Sequence, residues 1–101
     1  MPSFQLSRRA EVDLLHIAAY TIERWGEDQA GRYLADLEAC CHRLAEAPLL
    51  GRSCSHIRTG LHCLEQGSHV IFYRRMPHAI FISRILHRRM LPTRHLTDDQ
   101  S

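Results

Sequence analysis

Hydrophobic and polar positions along the chain change period several times. Phe4-Gln5-Leu6 alternates apolar, polar, apolar, which predicts a short first strand. Ser7 then stands as a helix N-cap before a run to Trp25 that contains no Pro or Gly. In that run Ala10, Leu14, Ile17, Ala18 and Thr21 recur at helical spacing, flanked by Val12, Leu15, Ala19 and Ile22. So wide a stripe predicts a helix buried on more than one side. Gly26 is its natural terminator, and Trp25 beside it reads as a packing anchor. Glu27 and Asp28 suit the first turn of a second helix, where they complement its dipole. Leu34, Leu37, Cys41 and Leu44 fall on one face of that helix, and Pro48 ends it. With about one residue between them, the two helices are expected to fold back as an antiparallel hairpin.

Beyond the loop from Leu49 to His56 the period shortens to two. Ile57 to Gln66 reads as a strand broken by Gly60, and Gly67-Ser68 turns it into a second strand around Val70 to Tyr73. Pro77 marks another turn, and Ala79 to Leu86 forms the last strand. The expected fold is α+β, in the order β-α-α-β-β-β. An N-terminal strand is followed by an antiparallel helical hairpin packed on a small antiparallel sheet. Alternation in the last strand sets Phe81, Ser83 and Ile85 against Ile80, Ile82, Arg84 and Leu86, so both faces are apolar. One hairpin covers one face, and part of the second set is expected to stay exposed for a partner. Leu91 to Leu96 is expected to make one more turn, with Leu96 tucked against the sheet. Residues 1–96 are thus expected to form one domain and 97–101 a polar tail.

Composition adds a compartment. No apolar run approaches the length of a membrane span, and Met1-Pro2-Ser3-Phe4 lacks a signal-peptide pattern, so a cytoplasmic protein is expected, with no membrane role. Cys40 and Cys41 are adjacent, and Cys54 and Cys63 are separated by a short histidine-containing stretch, which reads as reduced, buried thiols. Cys54, His56, His62 and Cys63 are zinc-ligand residue types, but their spacing fits no familiar zinc module. No metal and no cofactor is expected.

Charge changes the picture more. Residues 1–50 carry five Arg against eight acids, a balance of −3, whereas residues 51–101 carry eight Arg against three acids, a balance of +5. The asymmetry predicts a basic face for an acidic partner, protein or nucleic acid. All 13 basic residues are Arg; the chain has no Lys. Arg forks onto carboxylate or phosphate but does not exchange protons at neutral pH.

Five segments, taken together and in order, go further. They are Leu6-Ser7-Arg8-Arg9-Ala10, Trp25-Gly26-Glu27-Asp28-Gln29-Ala30, Pro48-Leu49-Leu50-Gly51-Arg52, Gly67-Ser68-His69-Val70-Ile71-Phe72-Tyr73-Arg74 and Arg84-Ile85-Leu86-His87. They closely resemble the ParE toxin family, a branch of the RelE/ParE superfamily of bacterial type II toxin–antitoxin systems. The resemblance runs from about Phe4 to Leu96. It implies a toxin that binds DNA gyrase, touching DNA only indirectly, and arrests replication and growth. It also implies a ParD-like antitoxin partner with a ribbon-helix-helix DNA-binding part and a C-terminal segment that wraps over the toxin. Plasmid stabilisation belongs to the same picture.

The RelE branch, which cleaves messenger RNA on the ribosome, is the alternative. Such cleavage needs a proton acceptor, a proton donor and positive charge on the phosphate. Arg58, Arg84, Arg88 and Arg89 suit the charge, and His87 suits the proton. The chain has no Lys, however, and Met90-Leu91-Pro92 follows Arg89 where many members of that branch place a Tyr late in the chain. The expectation is therefore binding, with no catalytic residue. Arg84, His87, Arg88, Arg89, Arg94 and His95 form the expected target-binding surface. Leu15, Ala19 and Ile22 on the first helix, with Ile80, Ile82 and Leu86 on the last strand, are the expected antitoxin contacts. His69 is expected to be a satisfied hydrogen-bonding group, and Tyr73 a half-buried strand residue with its hydroxyl at the rim.

Overall fold

The computed structural model describes residues 3–90 and Pro92. A first strand β1 (Ser3–Leu6) leads into helices α1 (Arg8–Trp25) and α2 (Glu27–Glu46). Four more strands follow: β2 (Arg52–Ser53), β3 (Leu61–Gln66), β4 (His69–Met76) and β5 (Ala79–His87). The predicted order β-α-α-β-β-β is the one observed, with the two-residue β2 added to it between α2 and β3. The sheet runs β1-β5-β4-β3-β2, antiparallel except where β1 joins β5 in parallel.

Local chemistry explains the boundaries. Ser7 caps α1 by accepting the Ala10 N–H at 2.9 Å. Gly26 takes φ +91°, a left-handed value that a side chain resists, and so turns α1 into α2 within one residue. Trp25 does not anchor this corner: it is 59% exposed. It lies beyond Thr21, the last buried residue of α1, and its exposure corrects the sequence reading.

The sequence puts a strand at residues 57–60; the structure puts turns there. Gly60 has φ +80°, and Ile57 and Arg58 both donate N–H bonds back to Cys54 O, so β3 begins at Leu61. That turn brings Ile57 over the sheet face away from the helices, closing a second core of Cys54, Leu61, Cys63, Val70, Phe72 and Leu86. The main core lies on the helix side, with Ile17, Leu37, Leu44, Ile71, Tyr73, Ile80, Ile82 and Ile85. Both faces of the sheet are therefore covered, and the exposed apolar patch expected on β5 does not exist. Ile80, Ile82 and Leu86 are buried, with exposures of 0%, 0% and 1%.

β5 owes its two apolar faces to a bulge. Phe72 pairs with Arg84 and Tyr73 with Ile82, which leaves Ser83 without an opposite number. The alternation shifts phase there. Ile80 and Ile82 face the helices before the bulge, Ile85 faces them after it, and Leu86 faces away.

Candidate functional site: the bulge clamp and the basic strand end

A bulge strands backbone groups that the ladder would otherwise bond, and burial makes them costly to leave unpaired. Here α1 supplies the partners. The Ser7 hydroxyl donates to Ser83 O at 2.6 Å, and the Ser7 N–H donates to Ile82 O at 2.9 Å. Six residues further on, Asp13 Oδ2 accepts the Ile85 N–H at 3.0 Å. The same carboxylate takes a two-point fork from Arg84, Nε to Oδ2 and Nη2 to Oδ1, each at 2.9 Å. Both side chains of this pair are only 10% exposed. A two-point Arg–carboxylate fork with a third donor satisfies a buried charge pair in the way its desolvation demands.

Arg84 is thereby corrected as a target-binding residue. Its guanidinium reaches Asp13 on α1, where it holds the helix to the strand instead of presenting charge at the surface. His87, Arg88 and Arg89 do come together at the strand end: His87 is half-buried and the two arginines are exposed. The Arg88 N–H donates to Ser68 O at 2.9 Å, tying the basic pair to the β3–β4 turn. The Arg89 N–H donates to His87 Nδ1 at 3.1 Å. With Nδ1 used as an acceptor, neutral His87 carries its proton on Nε2 and offers a donor there. Arg94 and His95, and the turn expected at Leu91 to Leu96, lie outside the described residues.

Behind the strand end sits a ring cluster. Tyr33 Oη accepts the Ser68 N–H at 2.9 Å and shares a 2.5 Å hydrogen bond with His69 Nδ1. The His69 and His87 rings stand edge to face, 5.4 Å between centroids. Burial, and then the neighbouring His87, lowers the His69 pKa, against an opposing pull from Asp13. His69 is the satisfied hydrogen-bonding group expected of it.

Tyr73 is more deeply set than its sequence suggested. Its hydroxyl donates to Pro48 O at 2.6 Å and accepts the Gly51 N–H at 3.1 Å. Only glycine fits at position 51, because a Cβ there would stand 2.5 Å from Tyr73 Oη and 2.6 Å from Cys63 O. The loop after α2 is thus fastened to the middle of the sheet. His62 packs edge-on to the same ring, its Nδ1 buried without a hydrogen-bond partner, and burial followed by the Arg75 charge lowers its pKa. Arg52 and Glu65 pair across β2 and β3 at 2.9 Å in the open, an arrangement that holds the Glu65 pKa below its ordinary value.

The cysteines are buried thiols, and burial pushes Cys41 and Cys63 up to about 12. Among the described residues no group of three or more His, Cys, Asp or Glu is placed to hold a metal ion. No helix among them is long and apolar enough to cross a membrane.

Of the six apolar residues expected to meet a partner, Leu15, Ala19 and Ile22 are exposed on α1. Beside Leu15 a hollow of about 310 Å³ opens between β1, α1 and α2, walled by Phe4, Leu6, Leu14, Leu34 and Leu37. Sequence reasoning missed Asp13. The signal was present, since Asp13 stands three residues after Ala10 and four before Ile17, on the face that the helix buries.

Comparison with known proteins gives this arrangement a family. Residues 4–92 match the model of the ParE toxin of the type II toxin–antitoxin system, parDE. Toxin ParE1 of Caulobacter vibrioides is 40% identical over 95% of this chain and 99% of its own length. Toxin ParE1 of Mycobacterium tuberculosis is 42% identical over 92% of this chain and 96% of its own, and Toxin ParE of Escherichia coli is 33% identical over 89% and 88%. Among solved structures, the chromosomal ParDE toxin–antitoxin system from P. aeruginosa superposes with a TM-score of 0.73 at 22% identity, covering 86% of this chain and 96% of that one. The toxin–antitoxin complex RelBE2 from Mycobacterium tuberculosis gives 0.64 at 20% identity, covering 87% and 100%. These two likenesses establish the fold, which ParDE and RelBE systems share, and so do not discriminate between targets. The family match and the curated relatives do identify the branch: this chain belongs to the ParE toxins of type II toxin–antitoxin systems.

Proposed function

We propose that this ParE-family toxin acts in the cytoplasm by binding DNA gyrase through His87, Arg88 and Arg89, continued by Arg94 and His95, and not by catalysis. The observation that supports binding is the engagement of the groups a nuclease would use. Arg84 is forked onto Asp13, and His87 Nδ1 accepts the Arg89 N–H. A His whose free nitrogen carries the proton is a donor, not a general base, in its neutral form. Two exposed arginines at a strand end suit an acidic protein surface, which forks of this kind recognise.

The antitoxin partner is of the ParD type, with a ribbon-helix-helix DNA-binding part. Its toxin-binding segment seats an apolar side in the hollow between β1, α1 and α2, with Leu15 at the rim. Purified gyrase tests the target. Toxin in excess is expected to block supercoiling, and the Arg88→Glu/Arg89→Glu double variant to lose the block while unfolding at an unchanged temperature. Normal supercoiling in the presence of wild-type toxin would overturn the gyrase assignment. The RelE-type alternative predicts instead that ribosome-bound messages are cut and that His87→Ala stops the cutting.

A further inference from the structure

Beyond its toxin role, α1 carries a second apolar face with no partner in the fold. Its core-facing positions are Ala10, Asp13, Ile17 and Thr21. Diametrically opposite run Val12, Leu15, Ala19 and Ile22, spaced three, four and three residues apart. This is the a/d spacing with which one helix packs along another. Leu15 is 69% exposed, Val12 45% and Ile22 44%. A helix on the surface of a monomer does not ordinarily repeat large apolar residues along its solvent side.

The seam is complementary to itself when a second copy lies antiparallel. Val12 then meets Ile22 of the other copy, and Leu15 meets Ala19, so each large side chain faces a smaller or branched one. The flanking charges match as well. Arg9 stands beside one end of the seam and Glu23 beside the other, both exposed, and the antiparallel arrangement brings each Arg9 against the other copy's Glu23. A parallel pair would stack Ala19 on Ala19, leaving a gap, and would set Arg9 far from Glu23. We infer that the toxin self-associates through the Val12–Leu15–Ala19–Ile22 face of α1 as a two-fold antiparallel dimer. Leu15 also lines the hollow assigned to the antitoxin. The two partners therefore compete at that residue, and antitoxin binding disperses the toxin dimer.

Sedimentation of toxin purified free of antitoxin, over roughly 1 to 200 µM, reads the association directly. The mass is expected to rise with concentration from 11.7 kDa toward twice that value. Ala19→Glu puts a carboxylate in the middle of the seam without touching the core. It is expected to hold the protein monomeric, with an unchanged unfolding temperature. Arg9→Glu or Glu23→Arg alone is expected to weaken the dimer roughly tenfold, since each sets two like-charged pairs face to face, and the double variant is expected to restore it. A wild-type protein that stays monomeric throughout overturns the inference. So does a dimer indifferent to Ala19→Glu. Loss of antitoxin binding in Ala19→Glu, from a protein that never dimerised, assigns the seam to the antitoxin instead. Failure of the charge-swapped double variant to recover rejects the antiparallel arrangement.

Discussion

The two sides of α1 depart from the usual amphipathic helix, since polar groups join Ala10 and Ile17 inside and apolar ones stand outside. The side against the sheet carries polar groups: Ser7 at its cap, then Asp13 and Thr21. The side toward solvent carries Val12, Leu15, Ala19 and Ile22. The inward polar groups have defined work. Ser7 and Asp13 bond the backbone that the β5 bulge releases, and Thr21 Oγ1 returns to Ile17 O at 2.6 Å. The outward apolar groups have no such work inside the monomer. A polar residue buried by a fold answers to the fold, whereas an apolar residue left outside answers to a partner.

That contrast can be broken from either side. The largest effect is expected at Asp13. Asp13→Ala removes the carboxylate onto which buried Arg84 forks and strands the Ile85 N–H. Chemical denaturation should register a loss of about 3–5 kcal/mol. Ser7→Ala removes both the helix cap and the donor to Ser83 O, and a loss of about 2 kcal/mol is expected in the same measurement.

Acid acts on the cluster beside the clamp. His69 and His62 both have pKa values lowered by burial, so the unfolded chain takes up protons more readily than the native one. Stability contributed by their neutral forms is full above the ordinary histidine pKa of about 6.5 and is lost as pH falls below it. The unfolding temperature should hold steady above neutrality and decline toward pH 5, and His69→Gln should flatten that decline. A decline that steepens in His69→Gln would contradict the burial argument. The smallest effect on stability is expected outside. Leu15→Ser and Ile22→Ser should change monomer stability by no more than about 0.5 kcal/mol, because neither side chain touches the core. A large loss there would show that the seam is part of the monomer's own packing.

Much of this architecture was legible beforehand, and the failures have physical causes. The period of apolar residues set both helices, and Gly26 set the one-residue junction between them. A large side chain at a hairpin tip reads as an anchor, but Trp25 is 59% exposed at the end of α1. β2 was missed because two residues carry no period. The turns at residues 57–60 were taken for strand because Ile57 is β-branched, whereas its task is to roof the far face of the sheet. Among the site residues, His87, Arg88 and Arg89 emerged where expected, since a charge run at a strand end has little choice of position. Arg84 did not, because sequence alone could not show that Asp13, 71 residues earlier, would take its guanidinium.

The sequence by itself determined what is written locally: element type, the two helix caps, the basic strand end and the family's segments. Local backbone preference and side-chain period suffice for those. The tertiary structure alone decided which apolar residues are core and which are surface. A one-residue slip at Ser83 reverses the facing of every side chain beyond it, and that slip is stable because Ser7 and Asp13, more than seventy residues earlier, bond the groups it frees. Burial of Arg84 and exposure of Leu15 are thus consequences of long-range pairing, which no local pattern encodes.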